Sequence, residues 1–439
     1  MTISAWSSLL RIVRARPGWT VWCAFLLTRL GAVAIGVIFF ARFLEASDTR
    51  GIYYPIAQTL AAGDGYRLLE SHYTATRVAP LFPVWLAFWV SLCGGPPPLW
   101  LSGCCNAVFR ATAALLAFRI CERYFGRRAA GGAAFLYLVD PWEALWVGYV
   151  LKESLALPLF LLGIWMLSRM LDRPVPPQAF LAGAAIGLAT LARYPNGSLW
   201  LSALLIVGHL SRRAGGSVTS RLRQAGVLAG CVTAGMLLSL SPWLIRNWRV
   251  TGYPVLSTEF IGRYFYTSNQ LGKVHETGGY ADGQGLDFDL IMATERKRQV
   301  LESETSMLAL TLKGLARRPT DFLLRIGAKL VNMWRPTFGV ASLRNSLMLG
   351  APYVLLMALS LAGMWIARQQ RLPCAPIIVP LMVLFLIHLV FWAEIRNRQY
   401  LTPLLYCFGG LFLAQYRGIA SRQPAPQDGS RVPGPGSVG

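Results

Sequence analysis

Charged residues are scarce in this chain, and acidic residues are the scarcest among them. Of its 439 residues only 14% are charged, whereas a soluble globular domain carries about 25%. Hydrophobic residues make up 54% of the chain, and the mean hydropathy is +0.46. This composition excludes a water-soluble fold and, apart from the tail at 421–439, intrinsic disorder. A polytopic membrane protein is the class that remains.

The residue patterns of metal sites and disulfide frameworks are also missing. The four histidines are scattered and form no HExxH pattern, and the eight cysteines include no CxxC pair, so neither a histidine-metal enzyme nor a zinc site is predicted. The basic residues comprise five lysines and 37 arginines. Arginine holds a phosphate through two parallel hydrogen bonds better than lysine does. In a membrane protein the net charge of +22 indicates loop orientation and contact with anionic lipid, and it argues against nucleic-acid binding.

Apolar runs predict how the chain crosses the membrane. Run 80–93 is short and flanked by prolines, and we expect it to lie in the outer interface or to re-enter the membrane. Ten helices then span, with 16 basic residues in the inner segments and eight in the short outer loops, as the positive-inside rule requires. Both termini are therefore predicted to be cytoplasmic. The eleven runs are 19–40, 80–93, 99–120, 129–149, 155–171, 179–192, 199–210, 225–244, 346–367, 374–392 and 400–415.

This topology divides the chain into four regions. An N-terminal transmembrane module covers 1–244 and includes a first outer loop at 42–79. An outer-face loop region follows at 245–345, then C-terminal transmembrane helices at 346–420 and a disordered cytoplasmic tail at 421–439. The outer-face region carries 14 basic and nine acidic residues, and a basic outer surface predicts an anionic ligand.

The outer-face region also contains an amphipathic helix pattern. Pro319-Thr320-Asp321 is typical of a helix start. The apolar residues Phe322, Ile326, Leu330 and Met333 then recur on one face, and Arg325 and Lys329 are displaced from that face. We expect this helix to lie at the outer membrane surface. A loop helix with a solvated basic face is the alternative.

Seven motifs on the outer side occur in an order that resembles a known family. The motifs are Asp48 after the first helix, Tyr53-x3-Ala57-x2-Leu60-x2-Gly63, Arg77-x2-Pro80-Leu-Phe-Pro83, Lys152-Glu153-Ser-Leu, Arg193-Tyr-Pro-Asn-Gly with Pro242-Trp-Leu-Ile-Arg246-Asn247, and Glu394-Ile-Arg396-Asn-Arg398 ahead of Pro403. Together they resemble glycosyltransferase family 39. This group of GT-C membrane glycosyltransferases includes protein O-mannosyltransferases and the lipid A aminoarabinose transferase.

The resemblance implies a fold, a reaction and roles for three residues. The expected fold is an all-α polytopic membrane protein, a GT-C-type bundle of about ten transmembrane helices with an outer-face loop region. The expected reaction is inverting sugar transfer from a polyprenyl-phosphate-linked donor to a lipid, glycan or protein acceptor, on the periplasmic face of the cell inner membrane. Asp48 matches the catalytic acid of the first loop, Glu153 a second pocket carboxylate, and Arg77 a contact to the lipid phosphate.

Further residues are predicted to bind substrate because of their outer placement. A lipid-phosphate leaving group needs cationic stabilisation, which guanidinium and ammonium groups supply. No cofactor is required, although the residue types are also compatible with a divalent cation. Simpler roles stay open: an ion pair within Lys152-Glu153, bracing of the bundle by Arg396 and Arg398, and an interfacial aromatic belt for Tyr264. The predicted substrate-binding residues are Arg77, Lys152, Arg193, Arg246, Tyr264, Asn269, Arg396 and Arg398.

Two other functions share the need for a basic outer cavity. One is a flippase or transporter of lipid-linked saccharides, which forms no covalent product. The other is an O-antigen polymerase or ligase, which uses a diphosphate-linked donor. Arg29 and Arg110 lie within apolar runs, where a charge is unfavourable and normally faces a cavity or a partner.

Overall fold

A computed structural model describes most of the chain, and its remaining segments lie outside the description. The described residues are 16–40, 49–68, 71–74, 78–213, 217–257, 265, 269, 308–309, 311–317, 319–337, 343–391 and 393–420. The predicted disordered tail at 421–439 and most of the outer-face region therefore lie outside the described residues.

Helices account for nearly all regular structure in the described residues. The N-terminal half contains a π-helical turn Thr49–Tyr53 and a two-stranded antiparallel sheet of β1 (Arg67–Leu68) and β2 (Ser71–Thr74). Its helices are α1 (Pro17–Phe40), α2 (Tyr54–Ala61), α3 (Leu81–Cys93), α4 (Leu99–Val139), α5 (Pro141–Trp146), α6 (Lys152–Asp172), α7 (Pro176–Ala192), α8 (Ser198–Arg213) and α9 (Val218–Thr251), with a 3₁₀ turn Tyr194–Gly197 between α7 and α8.

The C-terminal half continues with four longer helices and three short turns. The helices are α10 (Pro319–Trp334), α11 (Ala351–Gln369), α12 (Ala375–Val390) and α13 (Thr402–Ala420). Two turns, Leu343–Asn345 and Ser346–Gly350, lead into α11, and a 3₁₀ helix Ile395–Tyr400 connects α12 to α13. We call this last element the 395–400 turn.

Length and apolar composition identify the helices that can cross a membrane. Five described helical segments are long and apolar enough: Pro17–Gly36, Leu99–Val139, Lys152–Asp172, Val218–Thr251 and Ser346–Gln369. Three shorter apolar helices are α3, α7 and α12. The prediction of an all-α polytopic membrane protein is confirmed, with the small β1–β2 pair as the one departure among described residues. The count of ten spans and the interfacial position of α3 stay predictions.

Two residues divide the chain from 99 to 149 into separate helices. Gly126 has a φ of 82°, a left-handed conformation that glycine adopts without steric strain, and the chain bends there. The second helical part ends at Val139, earlier than the apolar run 129–149 suggests. The Asp140 side chain accepts a hydrogen bond from the Trp142 backbone, and Pro141 is the first residue of α5. An acidic cap followed by proline starts a new helix.

Small residues allow close packing between neighbouring helices. A Cβ atom added at Gly183 of α7 would lie 1.9 Å from the Val232 carbonyl oxygen of α9, and one added at Gly235 would lie 2.0 Å from the Phe180 carbonyl oxygen. Membrane helices approach closely at such small residues because no side chain separates the backbones. Large exposed apolar residues such as Leu238 and Leu355 are the surface expected to face lipid.

Helix α10 forms where the sequence pattern predicts it, but both of its basic residues are buried, as is Met333 of the predicted apolar face. Arg325 and Lys329 are 9% and 3% exposed, whereas Leu330 is 41% and Val331 69% exposed. The alternative of a loop helix with a solvated basic face is therefore wrong. A helix at a membrane surface reaches this arrangement when its polar face meets protein and its apolar face meets lipid.

Candidate functional site

A buried carboxylate, Glu153, lies in the first turn of α6. The helix begins after extended Leu151, and the unpaired amides of a helix N-terminus favour a negative charge nearby. The Glu153 side chain is 1% exposed, with its Oε1 3.9 Å from Nε of Arg193. Its Oε2 has no hydrogen-bond partner among the described residues. This oxygen can therefore accept a hydrogen bond from a ligand.

Arg193 is held beside Glu153 by groups from two other elements. It follows the last residue of α7 and has an extended backbone. Its Nη2 donates to Oδ1 of Asn397 at 2.5 Å, and its Nη1 lies 3.4 Å from Nε2 of His388. Its Cζ lies 4.6 Å from the centre of the Tyr400 ring. The guanidinium is therefore fixed by α12 and the 395–400 turn as well as by its own segment.

Two further cations act electrostatically on Glu153. Nζ of Lys152 donates to the hydroxyl of Tyr53 at 2.8 Å. Nε of Arg396 lies 2.6 Å from Oε2 of Glu394. Lys152, Arg396 and Arg193 all interact electrostatically with the Glu153 carboxylate. We call these four residues the Glu153 cluster: Glu153, Lys152, Arg193 and Arg396. It combines one acceptor group with three cations, a set suited to an anionic ligand that also carries hydroxyl groups.

Arg246, in the last turns of α9, lies in an adjacent aromatic cluster. It donates to the carbonyl oxygen of Tyr66 at 2.9 Å and to Oδ1 of Asn247 at 2.8 Å. Its Cζ lies 4.7 Å from the Trp243 ring. Nε1 of Trp243 donates in turn to the hydroxyl of Tyr194 at 3.1 Å. Tyr194 directly follows Arg193 of the Glu153 cluster. The two groups are thus joined through Tyr194, the chain neighbour of Arg193.

Asp48 lies outside the described residues, but its neighbour in the chain is described. Thr49 is fully buried, and its hydroxyl donates to the carbonyl oxygen of Val150. Val150 precedes Lys152 by two residues. The start of the described first-loop segment is therefore tied to the stretch of chain that leads into the Glu153 cluster.

Arg77 also lies outside the described residues, and the next residue in the chain contacts the same region. The carbonyl oxygen of Val78 accepts hydrogen bonds from the hydroxyls of Tyr66 and Tyr194, each at 3.1 Å. Both the beginning and the end of the first outer loop are thus anchored beside the motifs at 150–153 and 193–197.

Asn269 is part of a separate contact between α10 and the end of α12. Its Nδ2 donates to the carbonyl oxygen of Val390 at 3.0 Å, and its Oδ1 accepts from Nζ of Lys329 at 2.9 Å. Nζ of Lys329 also donates to the Val390 carbonyl at 2.9 Å. Tyr264 lies outside the described residues. Since these hydrogen bonds of Asn269 are made to protein groups, its role in substrate binding stays a prediction.

Arg398 packs against aromatic rings. It is 2% exposed, and its Cζ lies 4.6 Å from the Trp142 ring and 3.9 Å from the Tyr353 ring. Its Nη1 donates to the carbonyl oxygen of Arg335 at 2.7 Å. These contacts are those of the bracing role that the sequence leaves open, while its role toward substrate stays a prediction.

Sequence reasoning does not identify three residues that hold Arg193. Asn397 and Tyr400 stand beside the arginines of the last motif, and their spacing of three is the available signal. The sequence predicts only a helix-packing role for His388, although it is a polar residue within the apolar helix α12. Partners this distant in sequence are found only when the fold is known.

The described residues contain no group of three or more His, Cys, Asp and Glu side chains that could hold a metal ion. Asp48 lies outside these residues. The prediction that the reaction requires no cofactor therefore stays a prediction, as does the compatibility with a divalent cation.

Sequence comparison supports the resemblance carried by the motifs. The family model described as dolichyl-phosphate-mannose-protein mannosyltransferase matches residues 77–245. This range extends from the Arg77 motif to the Pro242 motif and covers less than half of the chain. The resemblance to GT-C glycosyltransferases is thereby confirmed for this part of the molecule. The chain has no significant match among curated protein sequences.

Solved structures with a similar arrangement share little sequence with this chain. The oligosaccharyltransferase AglB from Archaeoglobus fulgidus, in complex with an inhibitory peptide and a dolichol-phosphate, aligns with 14% identity and a TM-score of 0.48 over 94% of this chain and 52% of its own. ArnT from Cupriavidus metallidurans, bound to undecaprenyl phosphate, aligns with 14% identity and a TM-score of 0.43 over 97% and 82%. The chain thus spans about half the length of the archaeal enzyme, and TM-scores below 0.5 assign neither donor nor acceptor.

Proposed function

We propose that this protein is an inverting glycosyltransferase that moves a sugar from a polyprenyl-phosphate-linked donor to an acceptor at the outer membrane face. The observation that carries the proposal is the Glu153 cluster, in which a buried carboxylate with one available oxygen is surrounded by three cations from separate parts of the chain. The partial match to a mannosyltransferase family whose description names a dolichyl-phosphate donor agrees with it.

The reaction needs a base, a way to orient the sugar, and stabilisation of the leaving group. An acceptor hydroxyl oxygen attacks the anomeric carbon, the bond from that carbon to the phosphate oxygen breaks with inversion, and polyprenyl phosphate leaves with the bonding electron pair. The hydroxyl proton passes to a carboxylate, which we assign to Asp48. The contact between neighbouring Thr49 and Val150 supports this assignment because it ties the loop to the segment preceding Glu153.

Glu153 orients the sugar or acceptor, and the cations stabilise the leaving group. Glu153 accepts hydrogen bonds from sugar or acceptor hydroxyls and so orients the reacting atoms. Lys152, Arg193 and Arg396 stabilise the negative charge that develops on the phosphate oxygens. Arg77 is the phosphate clamp in this proposal, supported by the anchoring of Val78 beside Tyr194. With these cations available, the mechanism requires no metal ion.

The other predicted substrate residues keep their proposed roles. Arg246 lies on the aromatic cluster that adjoins the Glu153 cluster, and we propose Tyr264, Asn269 and Arg398 as further contacts to the donor or acceptor. The site faces the periplasm in this proposal, with the protein in the cell inner membrane and both termini in the cytoplasm. The excess of basic residues in the opposite set of segments supports this orientation.

Sugar transfer in reconstituted vesicles tests the proposal. Vesicles containing the protein receive radiolabelled undecaprenyl-phosphate sugars and a membrane extract as the acceptor source. We expect label to leave the donor with wild type and not with Asp48→Asn, because the amide cannot take up the proton. Asp64→Asn is the matched control, since Asp64 is an exposed acid of the same loop, and it should retain wild-type transfer.

Three results would change this assignment. Label that stays on the donor but moves between leaflets would indicate a flippase or transporter of lipid-linked saccharides. Transfer only from diphosphate-linked donors would indicate an O-antigen polymerase or ligase. Transfer that is lost on chelation and restored by a divalent cation would correct the assignment of a metal-independent mechanism.

A further inference from the structure

The 395–400 turn presents different side chains to its two sides. In a 3₁₀ helix, residues three apart eclipse each other, and Asn397 and Tyr400 are three apart. Both contact Arg193, the first through a hydrogen bond of 2.5 Å and the second through its ring. The two residues between them face elsewhere. The conformation of this turn therefore sets where the Arg193 guanidinium lies relative to Glu153.

A buried ionic group holds the other side of the turn. Nη2 of Arg110, in the membrane-spanning part of α4, donates to Oε1 of Gln399. Nη1 of the same guanidinium lies 2.6 Å from Oε2 of Glu143 in α5, and both side chains are almost completely buried. An ion pair inside a membrane bundle is unfavourable to desolvate. Two apolar side chains in these positions would avoid this desolvation. We therefore expect the ion pair to have a role that apolar side chains cannot fill.

Arg398, the residue before Gln399, also connects the turn to α5. Arg398 lies over the ring of Trp142, which precedes Glu143 in α5. Consecutive residues of the turn are thus fixed to consecutive residues of α5, one directly and one through Arg110. The link through Arg110 has a specific geometry because a planar guanidinium donates in fixed directions.

We infer that Arg110, Glu143 and Gln399 form a positioning network that holds the 395–400 turn and thereby places Arg193 against Glu153. None of the three touches the reacting atoms in the proposed mechanism. Their effect passes through Asn397 and Tyr400 to the guanidinium. The kinetic part of this inference rests on the proposed function, while the structural part does not.

The test compares three variants by two independent measurements. Gln399→Leu removes the acceptor of Arg110 with little change in volume, and Gln399→Glu keeps an acceptor oxygen at that place. Ser360→Ala is the matched control, because Ser360 is buried in α11 and its hydroxyl donates to its own helix. The first measurement is hydrogen–deuterium exchange of the backbone amides at 395–400 in detergent. The second is the transfer assay, with kcat and donor KM determined separately.

We expect exchange at 395–400 to become about tenfold faster in Gln399→Leu because the turn opens locally. In the same variant kcat should fall roughly 10- to 100-fold with donor KM nearly unchanged, since a misplaced group affects the transition state most. Gln399→Glu should keep slow exchange at 395–400, because its oxygen still accepts from Arg110, and Ser360→Ala should resemble wild type in both measurements. This pattern is not expected of a residue that only stabilises the bundle.

The outcomes separate the inference from the proposed function. Unchanged exchange in Gln399→Leu overturns the positioning network, whatever the activity. Faster exchange with an unchanged kcat would show that the conformation of the turn does not position Arg193 for the reaction. If wild type transfers no sugar from any donor, the proposed function fails, and the exchange measurement alone then decides whether the network holds the turn.

Discussion

Glu143 and Glu153 are two buried carboxylates in corresponding positions of neighbouring helices. Each lies in the first turn of its helix, α5 or α6, and each is about 1% exposed. Glu143 forms a close ion pair of 2.6 Å with Arg110. Glu153 lies 3.9 Å from Arg193, and one of its oxygens has no partner among the described residues. Glu143 is thus held in a close ion pair, whereas Glu153 keeps one oxygen that can accept a further hydrogen bond.

Each of the three cations near Glu153 also has another partner. Arg193 is bound by Asn397 and Tyr400, Lys152 by Tyr53, and Arg396 by Glu394. Arg110 likewise has a neutral partner besides Glu143, the amide of Gln399. Neither burial nor the presence of neutral partners therefore distinguishes the two carboxylates. What differs is the distance to the paired arginine and the oxygen of Glu153 that has no partner among the described residues.

The largest expected effect is the loss of transfer in Glu153→Gln. The substitution keeps the shape of the side chain but removes the charge that orients hydroxyl groups, and we expect the transfer rate to fall about 1000-fold. The melting temperature should change little because the ion pair of Glu153 with Arg193 is long, at 3.9 Å, and Arg193 keeps its hydrogen bond to Asn397. The vesicle assay and a thermal melt in detergent measure the two quantities.

Glu122→Gln is the matched control for this variant. Glu122 is a partly exposed carboxylate that pairs with Arg119 three residues away and lies outside the Glu153 cluster, so its removal should change transfer by no more than a few-fold. Half of the wild-type rate in Glu153→Gln would show that the open carboxylate is not part of the site. Glu153 and Glu143 would then not differ in function.

The next largest effect is the loss of stability in Glu143→Gln. Removing one partner of a buried ion pair leaves Arg110 as an uncompensated charge, and the free energy of unfolding should fall by about 3 kcal/mol. The double variant Arg110→Met/Glu143→Leu should recover most of this loss, because it removes both charges. Unfolding titrations in detergent measure the difference. An equal loss of stability in Glu153→Gln would mean that the two carboxylates do not differ in role.

The apolar runs predict the membrane class and most helices for a direct physical reason. A helix in lipid satisfies its own backbone hydrogen bonds, so a long apolar segment has few alternatives. Local details depend on single residues, as where Asp140 and Pro141 end the helix at Val139 and start α5. The pair β1–β2 and the burial of both basic residues of α10 depend on tertiary packing, which sequence periodicity does not predict.

The candidate site shows the same division between local and distant information. Glu153, Lys152, Arg193 and Arg396 can be selected from sequence because unusual polar residues stand at the ends of apolar runs. The contacts of Arg193 with His388 and Asn397 span 195 and 204 residues of sequence. No local pattern specifies such partners, since the fold alone determines which helix ends meet. Asp48 and Arg77 stay predictions because they lie outside the described residues.

A third buried charge, the ammonium of Lys329, extends the comparison with a smaller expected effect. Its hydrogen-bond acceptors are the neutral oxygens of Asn269 and Val390. Burial, with a smaller contribution from the nearby Arg325, lowers the pKa of Lys329 from 10.5 to about 7. Between these two pKa values the unfolded chain binds more protons than the folded protein. The stability of the folded protein should therefore rise as the pH increases from about 7 toward 10.5.

Lys329→Met should remove this part of the pH dependence. As the pH rises from neutral by about two units, we expect wild type to gain on the order of 2 kcal/mol in unfolding free energy from this residue, and the variant to gain correspondingly less. Melting curves at several pH values in one detergent measure the difference. Lys313→Met is the matched control, because Lys313 is exposed and its removal should leave the wild-type pH dependence intact. Identical pH dependence in wild type and Lys329→Met would show that neutral partners suffice to keep the buried ammonium charged, and that Lys329 differs from Arg110 less than its contacts indicate.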